Sequence, residues 1–256
     1  MKRHLLMHIY PRRNPDHWRR SVNHLLARWN QFDGRRVVSV AYDVDTDTVD
    51  EVREAFGHRE VELIAVRNSK LQEVESFPRL LERVEREPGI TFYCHAKGCT
   101  HADPESASHL WCDAMAEACL DYPQLVDCAL SQSDVCGAFR SRQRIMGAHS
   151  PPWHFAGTWW WVRNDALFAR DWRRIDPVLF GAESYPGWQF SIERSTCLFC
   201  DHAETTHLYD NAFWERAISP GLVNWRNALS GVGLSPIRAC APPSLLLAVD
   251  DPATVS

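Results

Sequence analysis

The chain has no apolar run approaching the eighteen or so residues that a membrane-spanning helix needs, so no membrane span is expected. It also lacks a basic excess. Its 28 Lys and Arg face 33 Asp and Glu, a net charge of -5, which argues against an extended nucleic-acid footprint. Only local basic spots remain, such as Arg140, Arg142 and Arg144. No G-x-x-x-x-G-K-S/T loop occurs, which argues against P-loop nucleotide hydrolysis. No G-x-G-x-x-G follows the first strand and no G-x-S-x-G elbow occurs, which speak against a dinucleotide oxidoreductase and an α/β-hydrolase. The apolar stretch within residues 1–13 is too short for a signal peptide, so a cytoplasmic protein is expected. The nine cysteines are odd in number and irregularly spaced, which argues against a disulfide framework and for reduced, mostly buried thiols.

What the chain does contain is alternation. Residues 4–10 read as a strand stopped by Pro11. Residues 16–32 place Trp18, Val22, Leu25, Leu26 and Trp29 at helical spacing, and Asp33-Gly34 closes that helix. Strands follow at 36–42, 61–66 and 90–95, separated by helices at 48–56 and 72–87. This predicts an α/β fold, a mostly parallel central sheet with helices on both faces. Further on, a helix is expected at 106–120, strands at 134–139 and 154–162, and a helix from 165. Beyond Asp176 the pattern turns irregular. The expected organisation is one domain over 1–240 and a flexible tail over 241–256.

The fourth strand, Ile90-Thr91-Phe92-Tyr93-Cys94-His95, is apolar and then breaks into His95, Lys97 and Gly98. In open α/β sheets ligands bind at the carboxyl ends of strands. His95 and Lys97 alternate and so share one side of that strand end. The lysine offers a point charge for a phosphate, and Gly98 allows a close backbone approach. Glu183, among glycines and aromatics in Gly181-Ala182-Glu183-Ser184-Tyr185-Pro186-Gly187-Trp188, is a candidate general base. In Trp159-Trp160-Trp161 the faces alternate, and with Trp153 nearby this cluster reads as too dense for core alone, offering stacking platforms. The 43–47 segment, with Asp43, Asp45 and Asp47, fits a cation or a ribose, but a turn with Thr46 or Asp47 capping the next helix is the favoured reading. Cys197, Cys200, His202 and His207 resemble a zinc half-site that lacks its second pair.

The segments 92–98 (FYCHAKG) and 154–167 (HFAGTWWWVRNDAL), followed by 182–187 (AESYPG), together resemble a family of bacterial glycosyltransferase-like proteins. So does the opening, with His8-Ile9-Tyr10-Pro11 and then Phe32-Asp33-Gly34-Arg35-Arg36-Val37-Val38. The resemblance spans roughly residues 4–190. It implies a GT-A-like (Rossmann-like) nucleotide-diphospho-sugar fold in a single domain, and transfer of a sugar from a nucleotide-diphosphate donor to an acceptor hydroxyl. In that fold the fourth strand normally ends in Asp-x-Asp on a divalent metal, whereas here His95-Ala96-Lys97 stands there. The resemblance therefore implies that Lys97, with His95, neutralises the diphosphate, and that a divalent cation (Mn or Mg) is optional. Tyr10, Arg12, Asp43, Lys97 and Gly98 then fall to the donor. His154, Gly157, Thr158, Trp159, Trp160 and Trp161 fall to the acceptor side, and Glu183 acts as base. The acceptor is left open between a glycan, a small molecule and nucleic acid. The alternatives are a non-catalytic nucleotide- or glycan-binding protein on the same fold, or a zinc-stabilised nucleic-acid-processing protein.

Overall fold

The computed structural model describes residues 1–97, 106–144, 150–201, 203–204 and 206–237. Its first part follows the expected alternation: β1 (Arg3–Ile9), α1 (Trp18–Leu26), β2 (Arg36–Tyr42), α2 (Val49–Ala55), β3 (Glu62–Arg67), α3 (Glu73–Glu82) and β4 (Ile90–His95). Then come α4 (Ala107–Ala116), α5 (Pro123–Gln132), β5 (Val135–Ala138), β6 (Arg140–Ser141), β7 (His154–Phe155), β8 (Trp160–Arg163) and α6 (Asn164–Phe168). The chain continues through α7 (Gly181–Gln189), β9 (Ser195–Phe199), α8 (Asn211–Phe213) and α9 (Ser219–Gly231).

Seven strands form one sheet in the order β3-β2-β1-β4-β8-β5-β9. Only β8 runs antiparallel to its neighbours. β6 and β7 form a separate two-stranded ribbon. The strand order turns at β1, whose neighbours are β2 on one side and β4 on the other. This reversal opens a crevice at the carboxyl ends of β1 and β4, where open α/β sheets take their ligands.

Two apolar layers cover the sheet. One gathers Trp18, Val22, Leu25, Phe92, Met115, Trp159 and Trp161. The other gathers Leu6, Phe77, Leu80, Leu81, Tyr93, Trp160 and Tyr185. Trp160 thus lies on the opposite face from Trp159 and Trp161, as strand alternation requires.

Several local expectations are corrected. The cap of α2 is Thr48, whose hydroxyl accepts from the Glu51 amide while the Glu51 carboxylate accepts from the Thr48 amide. Thr46 and Asp47 instead tie the preceding turn: Thr46 Oγ1 contacts the Asp43 backbone, and Asp47 accepts from Trp18 Nε1 at 3.2 Å. The expected continuous strand over 154–162 is two strands, because Gly157 (φ +90°) and Thr158 (φ +61°) turn the chain between them. The tryptophan cluster is core after all, since Trp153, Trp159, Trp160 and Trp161 are all fully buried. The stretch beyond Asp176 is ordered into α7, β9 and α9. Its pattern escaped periodicity because α7 carries Pro186 and two glycines and is buried around most of its surface. The expected tail over 241–256 lies outside the described residues.

Candidate functional site

β1 and β4 pair in register with His8 opposite His95, and Ala96 extends the ladder by donating to the His8 carbonyl at 3.0 Å. Directly paired residues of neighbouring parallel strands project to the same face, so both imidazoles point where α3 lies. There they line a cleft of about 280 Å³ together with Tyr10, Asn68, Gln72, Glu73, Lys97, Phe180, Glu183 and Tyr209. Both α3 and α7 begin at this cleft, and each puts a carboxylate in its first turn. A helix N-terminus favours negative charge there. The residues just ahead of the two helices, Gln72 (φ +51°) and Phe180 (φ +68°), hold the left-handed backbone that non-glycine residues rarely adopt. Such strain persists only where the surroundings enforce it, and it clusters at binding sites.

Lys97 is 8% exposed and lines the cleft. Its Nζ sits 3.8 Å from the centroid of the Trp111 ring and 5.2 Å from that of Tyr209, and it donates to Tyr209 Oη at 3.3 Å. Among the described residues no carboxylate lies within ion-pair distance of it. A buried ammonium held by ring faces and a neutral hydroxyl retains most of its capacity to attract an anion, since a carboxylate partner would cancel its charge and these groups do not.

Glu73 is 7% exposed and binds His95 Nδ1 at 2.9 Å and the Tyr93 hydroxyl at 3.1 Å through the same Oε2. Burial alone would raise its pKa, but the charge and hydrogen bond of His95, with help from His8 and Tyr93, hold it below the usual range. His8 Nδ1 meets Ser76 Oγ at 2.8 Å and Ser39 Oγ at 3.1 Å. Burial pushes His8 down to about 4, against the attraction of Glu73, so it is neutral at physiological pH.

Glu183, 6% exposed, lines the opposite part of the cleft. Its Oε1 accepts from the Gly157 amide at 3.2 Å and stands 3.8 Å from His154 Nε2. Burial lowers the His154 pKa, partly offset by Glu183. A side chain at Gly157 would drive into Met115 and Trp111, so the glycine is what lets this amide reach the carboxylate.

At the rim, Tyr10 Oη donates to Asp43 Oδ2 at 2.9 Å, and Asn68 Nδ2 donates to the same oxygen at 2.8 Å. Burial and the Asp43 carboxylate push Tyr10 up to about 12. Burial opposes ionisation of Asp43, but hydrogen bonds from Asn68, the Asp45 amide and Tyr10 hold its pKa down. Arg12 bridges to Thr46 next to this pair and is not part of the cleft lining.

The structure therefore brings Tyr10, His95, Lys97 and Glu183 to one cavity, with Asp43 one hydrogen bond behind. His154 and Gly157 lie against Glu183, Thr158 and the three tryptophans are buried in the layers on either side of the sheet, and none of the six lines the cavity. Gly98 lies outside the described residues. Sequence reasoning missed Glu73, His8 and Tyr209. Glu73 had a signal: it falls on the apolar face of α3, four residues before Phe77 and seven before Leu80, where a lone carboxylate needs a partner. Tyr209 had none, since its approach to Lys97 is purely tertiary.

A divalent cation would need oxygen ligands converging on the diphosphate position. The carboxylates lining the cleft, Glu73 and Glu183, are already engaged with His95 and with Gly157. Among the described residues no group of three or more His, Cys, Asp or Glu converges on a metal position. The described residues do not fit a protein-held cation. The zinc half-site weighed from the sequence, Cys197, Cys200, His202 and His207, is described only in part. Burial pushes Cys197 up to about 12 and Cys200 to about 11, and His207 pairs with Glu204 at 3.2 Å. His202 lies outside the described residues.

No family model matches the chain, and no curated protein does. Solved structures of similar architecture include 4-diphosphocytidyl-2C-methyl-D-erythritol synthase from Anaerococcus prevotii, at 9% identity over 84% of this chain and 97% of that one, TM-score 0.44. S. aureus TarS aligns at 12% identity over 90% of this chain and 79% of its own, TM-score 0.46, and has also been solved with UDP-GlcNAc. HddC from Yersinia pseudotuberculosis aligns at 11% identity over 80% and 91% of the two chains, TM-score 0.40. These likenesses carry no substrate and no residue role to this protein.

Proposed function

We propose that the protein is a nucleotide-sugar-dependent glycosyltransferase whose donor diphosphate is met by Lys97. The observation that carries this reading is a buried ammonium that lines the crevice at the strand-order reversal and has no carboxylate partner among the described residues. In such a transfer the bond from the anomeric carbon to the diphosphate oxygen breaks, and negative charge grows on the leaving oxygens. A cation fixed beforehand at that point stabilises the charge without reorganisation. Tyr10 and Asp43, joined at the rim, take the nucleoside end in this reading. Arg12, beside them, adds positive charge there.

Glu183 takes the acceptor side as the base that removes the hydroxyl proton while the oxygen bonds to the anomeric carbon. Its Gly157 hydrogen bond fixes one oxygen and leaves the other for the proton. Glu183→Gln keeps an acceptor for the Gly157 amide but cannot take a proton. It is expected to cut donor turnover by about 10²-fold or more while donor affinity stays within about twofold. Turnover is read as release of nucleoside diphosphate from a panel of nucleotide sugars, and affinity by calorimetry. Undiminished turnover in this variant removes Glu183 from the base role. Saturable binding with no turnover of any donor by the parent protein points instead to a binding protein on the same cleft.

A further inference from the structure

Beneath the proposed diphosphate position lies a group of polar side chains with no part in the transfer step, the buried His8, Glu73 and Tyr93 and the part-buried His95, with Ser39 and Ser76 behind. An ionised carboxylate only accepts hydrogen bonds, so the proton between Glu73 and His95 belongs to His95 Nδ1. That fixes the ring and leaves Nε2 as the nitrogen available to the cleft. We propose that Glu73 is a positioning residue that locks His95 in this orientation, so that a nucleoside diphosphate binding beside Lys97 draws a proton from solvent onto His95 Nε2. This rests on the reading of the cleft as a diphosphate site.

The charge balance around His95 supports it. From α3 it faces Glu73, from β1 and the residue after it His8 and Tyr10, and from its own strand and the turn beyond it Tyr93 and Lys97. Glu183 reaches the same cleft from α7, and Tyr209 from the turn at His207–Tyr209. His8 is neutral because of its burial and sits on the Ser39 and Ser76 hydroxyls, so it adds no positive charge beside His95. Bringing a multiply charged anion to the ring adds a second negative neighbour, and each opposite charge favours the protonated imidazole. The proton comes from buffer and is bound at Nε2, where it donates to a phosphate oxygen. No other bond changes.

The test is calorimetric titration of UDP into the intact protein at about pH 8, where the terminal phosphate is fully ionised. The titration is run in two buffers of different ionisation enthalpy. The parent is expected to show an apparent binding enthalpy that changes with buffer, corresponding to uptake of about half a proton or more per UDP. Glu73→Gln keeps the size of the side chain and loses the charge. It should lower that uptake at least about twofold and weaken UDP binding severalfold. His95→Gln, which leaves Glu73 with Tyr93, should abolish the uptake. A parent enthalpy independent of buffer overturns the inference, as does an unchanged uptake in Glu73→Gln or in His95→Gln. A folding defect in one variant leaves the other, and the parent, to decide. If UDP binds, Lys97→Ala weakens it, and Glu73→Gln takes up protons like the parent, only this inference falls. If UDP and the other nucleoside diphosphates fail to bind the parent, the reading of the cleft falls and takes this with it.

Discussion

Lys97→Ala is expected to remove about half or more of the rise in melting temperature that a nucleoside diphosphate or its sugar gives the parent. A ligand that binds only the native state raises stability by mass action, so loss of affinity reads directly as loss of the shift. Removing a charge-assisted contact to phosphate costs about 1.5–3 kcal/mol, which is tenfold to a hundredfold in affinity. The unliganded protein should melt within about 4 °C of the parent, because among the described residues the ammonium gives up its ring contacts and one hydrogen bond to Tyr209. A scan against UDP, GDP, CDP and their sugars, with and without manganese, checks this. An undiminished shift in Lys97→Ala removes the anion role from that residue, and a shift that appears only with manganese shows that the cation is not optional.

Gly187→Ala is expected to be the most damaging small substitution near the site. A β-carbon there would lie 1.7 Å from the Trp153 carbonyl oxygen and 3.0 Å from Pro151. The obstacle is backbone, so no rotamer relieves it, and α7 must move off β7. We expect a loss of about 3 kcal/mol or more, measured by denaturant unfolding. Because α7 also carries Glu183, the displacement should break its contact with the Gly157 amide and lower donor turnover together with stability. A variant as stable as the parent would show that α7 is not seated as described.

The parallel half of the sheet was legible because each strand and helix there carries its own signal. β2 and β4 were bounded to the residue, since Arg36, Tyr42 and His95 mark where apolar runs stop. The His95 and Lys97 pair was legible for the same reason, as polar groups placed by alternation at a strand end. The break at Gly157 was not, because the apolar run continues through it and only the left-handed backbone of Gly157 and Thr158 reveals the turn. The tryptophans misled because composition counts side chains without saying which layer covers them. Two packed layers around a seven-stranded sheet have room for all four.

The sequence by itself determined the alternating α/β plan and the cationic end of β4, because local periodicity and strand alternation depend only on neighbours along the chain. The tertiary structure alone decided that α3 lays Glu73 against His95, that Trp111 and Tyr209 hold Lys97, and that a buried α7 turns Glu183 into the same cavity. Those contacts join residues 14 to 112 positions apart, and they exist only once helices dock on the sheet. Hydrogen-bond and charge partners of that kind are chosen by packing geometry, which leaves little mark on the local pattern.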